Sequence, residues 1–328
     1  MARRISIVMA AYNGLPYLSA QLDSILAQTY GDWRLIVRED CSTDDTAALV
    51  DAYCRRDARI SRLPSSSNLG ANGNFVRLLE DARGGVDYIA FADHDDVWLP
   101  HKLELSLKYM LSAEQRLGQQ TPILVHGDFE TIDGQGRLLC KSYAQQARLL
   151  LGGGPEEFFR LLAQPYVFGC ASLINSALLE AAWPFPADSE MYDCHLALTA
   201  ALVGRVEYIA QPLLQHRLHS GNETGKLGSD SWGQRFQRIF GNWQALVDNT
   251  ALRLHQCRTL ARRFAAQDGP GVQAAQELAQ AMDRGTWATM RTAARHGFRR
   301  QGLPQTLLLY ATLMTGAVRK EANFGSDT

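Results

Sequence analysis

Asp93, Asp95 and Asp96 crowd three carboxylates into the four residues Asp93-His94-Asp95-Asp96, directly after an apolar run ending at Phe91-Ala92. Carboxylates this close repel one another unless something compensates their charge. Mg2+ or Mn2+ would do so, since both prefer oxygen ligands and take one or two carboxylates together with phosphate oxygens. Helix capping is the alternative: Asp95 or Asp96 can complement the N-terminus of a helix near Pro100. Two further polar clusters follow apolar runs. Ala10-Ala11-Tyr12-Asn13 ends the first, and Glu39-Asp40-Cys41-Ser42-Thr43-Asp44 ends the second. An aromatic such as Tyr12 can stack on a base, and an Asp can accept a hydrogen bond from a pyrimidine N3–H. Each cluster also has a plainer reading, with Asn13-Gly14 as a turn and Asp44 as a helix cap.

The elements that would position these residues follow from hydrophobic period. Ile5–Met9 is β-rich and almost wholly apolar, as a buried parallel strand is. Leu15, Leu18, Leu22, Ile25 and Leu26 recur at helical spacing to about Gln28. Trp33–Val37 reads as a strand, followed by a helix to about Asp57, the strand Arg59–Leu63, and a helix over Asn72–Asp81. Val86–Ala92 is the fourth strand, and Pro100 opens another helix. This alternation predicts an α/β fold with a doubly wound sheet, in which ligands bind beyond the carboxyl ends of the strands. Later signals are sparser. Ile123–Phe129 and the short Val206–Ile209 read as strands, Ala177–Ala182 and Tyr192–Val203 as helices. Asp133-Gly134-Gln135-Gly136 is a turn, Gly152–Pro155 a loop, and only helix-like segments follow Ser231.

Composition excludes several classes. The chain has 328 residues, 46% hydrophobic and 20% charged, which is ordinary for a globular protein. A net charge of −1 argues against a nucleic-acid binder. That total conceals a +7 segment from Gly225 onward and −8 in the rest. None of the six cysteines has metal-motif spacing, and a chain of this length needs no disulfides, so a reducing cytosol is expected. The apolar run after Met-Ala-Arg-Arg is too short for a signal peptide, and Thr306–Val318 too short to span a bilayer. No GxGxxG or GxxxxGK[ST] is present, which disfavours a dinucleotide dehydrogenase and a P-loop NTPase.

The combined pattern resembles the family 2 glycosyltransferases. The segments that carry it are SIVMAAYNG, LDSILAQTYGDWRLIVREDCSTDDT, NLGANGNF, YIAFADHDDVWLPHKL, FGCASLIN and MYDCHLALTAALVGRVEYIAQPLLQHRLHSGN, from about Ile5 to Asn222. Within that family it is most similar to bacterial rhamnosyltransferase-type members. The resemblance implies the GT-A nucleotide-sugar fold, a mostly parallel sheet flanked by helices, over residues 1–224. Residues 1–120 would form the nucleotide-sugar half and 121–224 the acceptor half, with a helical extension over 225–328. It implies that Ala10, Tyr12, Asp40, Asn68, Asn74 and Asp93 bind the nucleotide. Asp95 would ligate Mg2+ or Mn2+ directly, with Asp93 nearer the ribose or a metal-bound water. Asp193 aligns with the catalytic base, although an N-cap for the Leu196–Leu202 helix is its plainer reading. Arg217 and His219 would contact the diphosphate or the metal, and Trp98, Gly169 and Cys170 would lie on the acceptor side. Two departures from the family pattern are Glu39-Asp40 as the acidic pair of the second strand, and His94 where some relatives have Gln.

The implied activity is inverting, metal-dependent transfer of a sugar to a hydroxyl of a bacterial surface glycan such as lipopolysaccharide core or O-antigen. dTDP-L-rhamnose is the leading donor, and UDP-glucose, UDP-galactose or UDP-GlcNAc the alternative. A metal-dependent nucleotidyltransferase is the rival from another class. It would need a further carboxylate beside Asp93 and Asp95 and no base like Asp193. In the basic segment, Trp287, Met290, Ala294 and Phe298 fall on one predicted helical stripe beside Arg291, Arg295 and Arg299. Such a helix can lie in an anionic membrane interface, or pack on the body with its arginines solvated. A cytoplasmic protein, peripheral on the inner face of the cytoplasmic membrane when its acceptor is lipid-linked, is the corresponding expectation.

Overall fold

The computed structural model describes residues 4–151, 156–186, 190–219 and 242–321. The expected loop at Gly152–Pro155, the boundary at 224/225 and the start of the helical segment at Ser231 lie outside them.

The first half alternates as expected: β1 (Ile5–Ala11), α1 (Leu15–Leu26), β2 (Trp33–Glu39), α2 (Thr46–Arg56), β3 (Ile60–Leu63), α3 (Gly70–Ala82) and β4 (Tyr88–Asp93). β5 (Val97–Trp98), α4 (Lys102–Leu117), β6 (Ile123–Asp133), β7 (Leu138–Cys140), α5 (Tyr143–Gln146) and α6 (Glu157–Ala163) follow. Then come β8 (Ser172–Asn175), α7 (Ser176–Ala182), α8 (Tyr192–Val203) and β9 (Arg205–Leu218). The strands form one mixed sheet in the order β3-β2-β1-β4-β8-β6-β9-β5, with β7 on β6. β1 pairs in parallel with both β2 and β4, while β8 runs antiparallel to β4 and β6. The chain thus leaves β1 to one side for β2 and β3 and returns on the other for β4. The loops after β1 and β4 therefore flank the crevice where such sheets bind ligands.

Alternation along β1 divides the core. Ile5, Ile7, Met9 and Ala11 point into a cluster with Leu18, Leu22, Val50, Leu103 and Met110 of α1, α2 and α4. Val8 and Ala10 point into the other, with Phe75, Leu78 and Leu79 of α3, Phe158 and Phe159 of α6, and Leu196 of α8. Each fully buried Leu, Ile or Phe contributes about 1.5–3 kcal/mol.

β9 differs most from its expected extent. The run Ala210-Gln211-Pro212 looks like a strand end, yet β9 continues to Leu218. Pro212 lacks an N–H and sits opposite Asp128, where the β6–β9 register shifts. A proline is tolerated at such an irregularity because no ladder bond is required of it. The extra length carries His216 and Arg217 to the carboxyl edge of the sheet.

After residue 242, α9 (Trp243–Arg263), α10 (Pro270–Asp283), α11 (Thr286–Arg295), α12 (Leu303–Thr312) and α13 (Val318–Glu321) are all helical. They add Val247, Leu254, Leu260, Leu278, Leu309 and Leu313 to the α3–α8 side of the core. The expected basic stripe is cut short: Arg291 and Arg295 are exposed on α11, and Arg299 is not part of it. α11 ends at Arg295, and Gly297 takes a φ of +77°, so Phe298 and Arg299 leave the helix axis. α11 buries Thr289, Thr292 and Ala293, while Trp287 is 75% exposed. Small residues on the buried face let this helix approach its neighbours closely. Many basic groups are used internally: Arg253 pairs with Glu190, Arg258 with Glu321 and Asp283, Arg295 with Glu277, and Arg299 with Glu156.

Candidate active site

The loops after β1 and β2 are knit together. Asn13 N donates to Ser42 Oγ at 2.9 Å, and Asn13 Oδ1 accepts from Thr43 N at 2.8 Å. Asn13 and Cys41 both hold positive φ, 47° and 60°, so each strand end is bent at this junction. Asp44 lies one residue before the N-cap of α2, Asp45, and accepts from Thr46 N at 3.0 Å and from Leu15 N at 3.3 Å. Tyr12 is 45% exposed on this surface, which leaves its ring open to a ligand.

Asp40 is only 2% exposed. It pairs with Arg38 and accepts from Leu69 N and Gly70 N at 2.9–3.0 Å. Asn68 Nδ2 donates to Asp40 O at 2.9 Å, and Asn74 Oδ1 accepts from Arg38 at 3.0 Å. These residues order the entry to α3, and a pyrimidine edge would share Asp40 with those donors. Asn74 and Ala10 are themselves buried.

Asp93 ends β4, paired in register with Ala10. Burial, then Asp96 and Asp95, push its carboxyl up to about 8. Negative charge here is therefore undercompensated by the protein itself. His219 Nε2 lies 2.8 Å from Asp95 Oδ2, and Arg217 Nε donates to Asp95 O at 2.8 Å. Arg217 also donates to Asp133 O at 3.3 Å, and its guanidinium lies 4.7 Å from the Tyr17 ring centre. Arg217 is thus a buried support for the Asp95 loop, with His219 beside the carboxylate.

Two hard carboxylates at the end of β4 and just beyond it, one of them held protonated by burial and by its neighbours' charge, form a donor set suited to Mg2+ or Mn2+. A cation favours the ionised form of Asp93, so its binding releases the proton and strengthens as pH rises toward about 8. The Mn2+ dissociation constant, measured by titration, is expected to fall by roughly tenfold between about pH 6.5 and 7.5. A pH-independent constant would contradict this assignment.

Asp193 lies in the first turn of α8. Its Oδ2 accepts from Gly169 N at 2.9 Å and its Oδ1 from Cys194 N at 2.8 Å. Burial raises its carboxyl despite these bonds. Gly169 lies just before β8, which runs antiparallel to β4, so this contact brings Asp193 to the carboxyl end of β4. Gly169 is required by space, since a Cβ there would lie 2.1 Å from the Tyr192 hydroxyl oxygen. Tyr192 in turn stacks on Phe75 at 4.3 Å, and its backbone N–H donates to Asn72 Oδ1 at 2.7 Å.

Trp98 is 2% exposed, with Lys102 Nζ 3.5 Å from its ring centre. Cys170 is buried too, and its carbonyl accepts from Lys102 Nζ. Burial lowers Lys102 to about 7. In sequence Asp96 is a candidate cap for the helix near Pro100, whose N-cap is instead His101, and His216 has no assigned role. Asp96 Oδ1 accepts from His216 Nδ1 at 2.9 Å and from Arg217 N at 3.1 Å. Against the desolvation that disfavours its charged form, the Asp96 carboxylate raises His216 to about 9.

A mixed sheet with carboxylates at the end of β4 defines the GT-A class of fold. S. aureus TarS, residues 1–349, solved with UDP-GlcNAc, shares this architecture at a TM-score of 0.55 and 15% identity, covering 98% of this chain and 92% of that one. Residues 6–146 match the model of glycosyl transferase family 2. The chain is 36% identical over 107 residues to the putative teichuronic acid biosynthesis glycosyltransferase TuaG of Bacillus subtilis, covering 33% of this chain and 42% of that protein. It is 39% identical over 107 residues to the UDP-Glc:alpha-D-GlcNAc-diphosphoundecaprenol beta-1,3-glucosyltransferase WfgD of Escherichia coli, covering 33% and 41%. The matched stretches span about two fifths of these two relatives' lengths.

Proposed function

We propose that this chain transfers a sugar from a pyrimidine nucleoside-diphosphate donor to a hydroxyl of a bacterial cell-surface glycan, inverting the anomeric centre. The observation that carries this reading is the placement of Asp93 at the end of β4, with Asp95 just beyond it and Asp193 held by Gly169 next to the antiparallel β8. In this reading Tyr12 stacks on the base, and Asn68, Asn74 and Asp40 shape the nucleotide side. Asp95 and Asp93 hold Mg2+ or Mn2+. When bound, the cation acts as a Lewis acid that offsets charge on the departing diphosphate. His219 orients the Asp95 carboxylate, and Arg217 fixes that loop from below. Asp193 takes the acceptor hydroxyl proton, and the two backbone N–H groups on its oxygens keep it aimed. Its raised affinity for protons, a result of burial, makes it a stronger base than a solvated aspartate. One displacement inverts the anomeric centre, so no covalent nucleophile is needed.

The resemblance to rhamnosyltransferase-type members favours dTDP-L-rhamnose as donor. UDP-glucose is the second reading, and the relative named as a UDP-Glc-dependent glucosyltransferase supports it. Calorimetric titration of the chain with each donor in the presence of Mn2+ separates them. The account expects one of the two to bind at least about tenfold more tightly than the other and than purine nucleotide sugars, a difference of about 1.4 kcal/mol. Equal binding of purine and pyrimidine donors would remove the base-recognition role from Tyr12 and Asp40.

No described helix is long and apolar enough to cross a membrane. For a lipid-linked acceptor, peripheral contact would use the exposed Trp287, Leu303, Leu307 and Met314, not the arginine stripe read from sequence.

A further inference from the structure

We infer that Asp96, through His216, is a positioning residue that latches the β4–β5 acidic loop to the end of β9 and thereby fixes the cation-binding carboxylate of Asp95. The inference rests on the proposed reading of Asp93 and Asp95 as cation ligands.

Asp96 is fully buried, 0% exposed, so it does not face a ligand from its place in the fold. An ionised carboxylate without donors in such a place costs several kcal/mol, so the groups that satisfy it are structurally decisive. Both of its donors come from β9, 120 and 121 residues away: His216 Nδ1 and the backbone N–H of Arg217, converging on Oδ1. The neighbouring Asp95 is held by the same short segment, through Arg217 Nε on its carbonyl and His219 Nε2 on its carboxylate. Two adjacent residues of one loop therefore grip residues 216, 217 and 219 of another. The direct strand pairing between these segments is only two residues long, Val97 with Gln215 and Trp98 with Leu214. One backbone bond, Leu99 N–H to Leu213 O, extends it, while β6 holds the other edge of β9 as far as Leu218. The acidic loop itself is tied to that fixed strand end by side chains, so with Asp96 in place Asp95 meets His219 in a set orientation. Without it, Asp95 keeps its chemistry and loses its placement.

Asp96 Oδ2 and His216 Nε2 are buried with no hydrogen-bond partner among the described residues. The ligand atoms of Asp96, His216 and Cys170 lie within 4.8 Å of one another, an arrangement a thiophilic metal such as zinc could also use. Lys102 Nζ donates to the carbonyl of Cys170, so a protein hydrogen-bond donor already stands at this cluster, which favours the latch.

The test compares wild type, Asp96→Asn and His216→Gln as full chains, with folding checked by circular dichroism. Mn2+ binding in the presence of UDP is followed by electron paramagnetic resonance, and uridine binding without metal by calorimetry. Partners that orient metal ligands typically change affinity by about 10–100-fold when removed. Asp96→Asn is therefore expected to weaken Mn2+ by at least about tenfold with uridine affinity unchanged. His216→Gln, which keeps an N–H donor, is expected to lose less. If Asp96→Asn is folded and binds Mn2+ as wild type does, the latch is wrong while the cation reading stands. Should Asp96→Asn not fold, equal Mn2+ affinity in wild type and His216→Gln would overturn the latch. A wild type that binds no Mn2+ removes both. One equivalent of zinc that survives dialysis and is released by Cys170→Ser would replace the latch with a buried metal centre.

Discussion

Asp95→Ala is expected to lower sugar transfer by roughly 10³-fold while leaving the fold intact. Cation stabilisation of a leaving group contributes several kcal/mol to the transition state, and each 1.36 kcal/mol is tenfold in rate. The same substitution removes a source of repulsion, because Asp95 is one of the carboxylates that force Asp93 up to about 8. Its partner His219 stays partly open to water and needs no replacement. The thermal midpoint is therefore expected to hold or rise in the metal-free protein as activity collapses. That opposition between stability and function is the signature of a site whose charges were assembled for a ligand. Steady-state rates and thermal melts of the same sample check it. Unchanged transfer, or loss of activity only through unfolding, would remove Asp95 from its role.

Asp193→Asn is expected to retain donor binding and to reduce transfer by roughly 10²–10⁴-fold, the span of a lost general base. An asparagine side chain has one acceptor oxygen where the carboxylate has two. Either Gly169 N–H or Cys194 N–H then faces an amide group, at a cost of about 1–3 kcal/mol in stability. The pH profile separates base loss from this packing effect. Burial raises the Asp193 carboxyl, so the protonated, inactive form persists above the ordinary aspartate range. Transfer by the wild type is expected to fall on the acid side, along a limb displaced upward from 3.8. Residual transfer by Asp193→Asn is expected to lack that limb. Full activity in the variant would return Asp193 to a structural role.

The part of this architecture that is legible in the sequence is local. β1 through β4 and their helices declare themselves because β1 and β4 are largely apolar runs, β2 has an apolar centre, the short β3 falls in the alternation, and each helix has its own apolar face. α8, read as Tyr192–Val203, spans the same residues in the structure. The acidic cluster is equally plain, since its three carboxylates are neighbours in the chain. What could not be read depends on long-range pairing. β5 is two residues long and exists only because β9 lies beside it. β9 passes through Pro212, so its far end carries no strand signal of its own, yet that end brings His216, Arg217 and His219 to Asp95 and Asp96. Asp96 and Asp95 are indistinguishable as letters. One is buried under an imidazole and the other meets the crevice, a difference fixed by residues 120 positions away. The basic stripe is cut short for a similar reason: helical spacing was extrapolated across Gly297, where the backbone turns out of the helix.

Release of nucleoside diphosphate from dTDP-L-rhamnose and from UDP-glucose, followed with Mn2+ and again after chelation, tests the central claim most directly. The account predicts that one of the two donors is turned over, that chelation stops the release, and that added Mn2+ restores it. Turnover that is indifferent to chelation, or no release from any nucleotide sugar with Mn2+ and a glycan acceptor present, would contradict it.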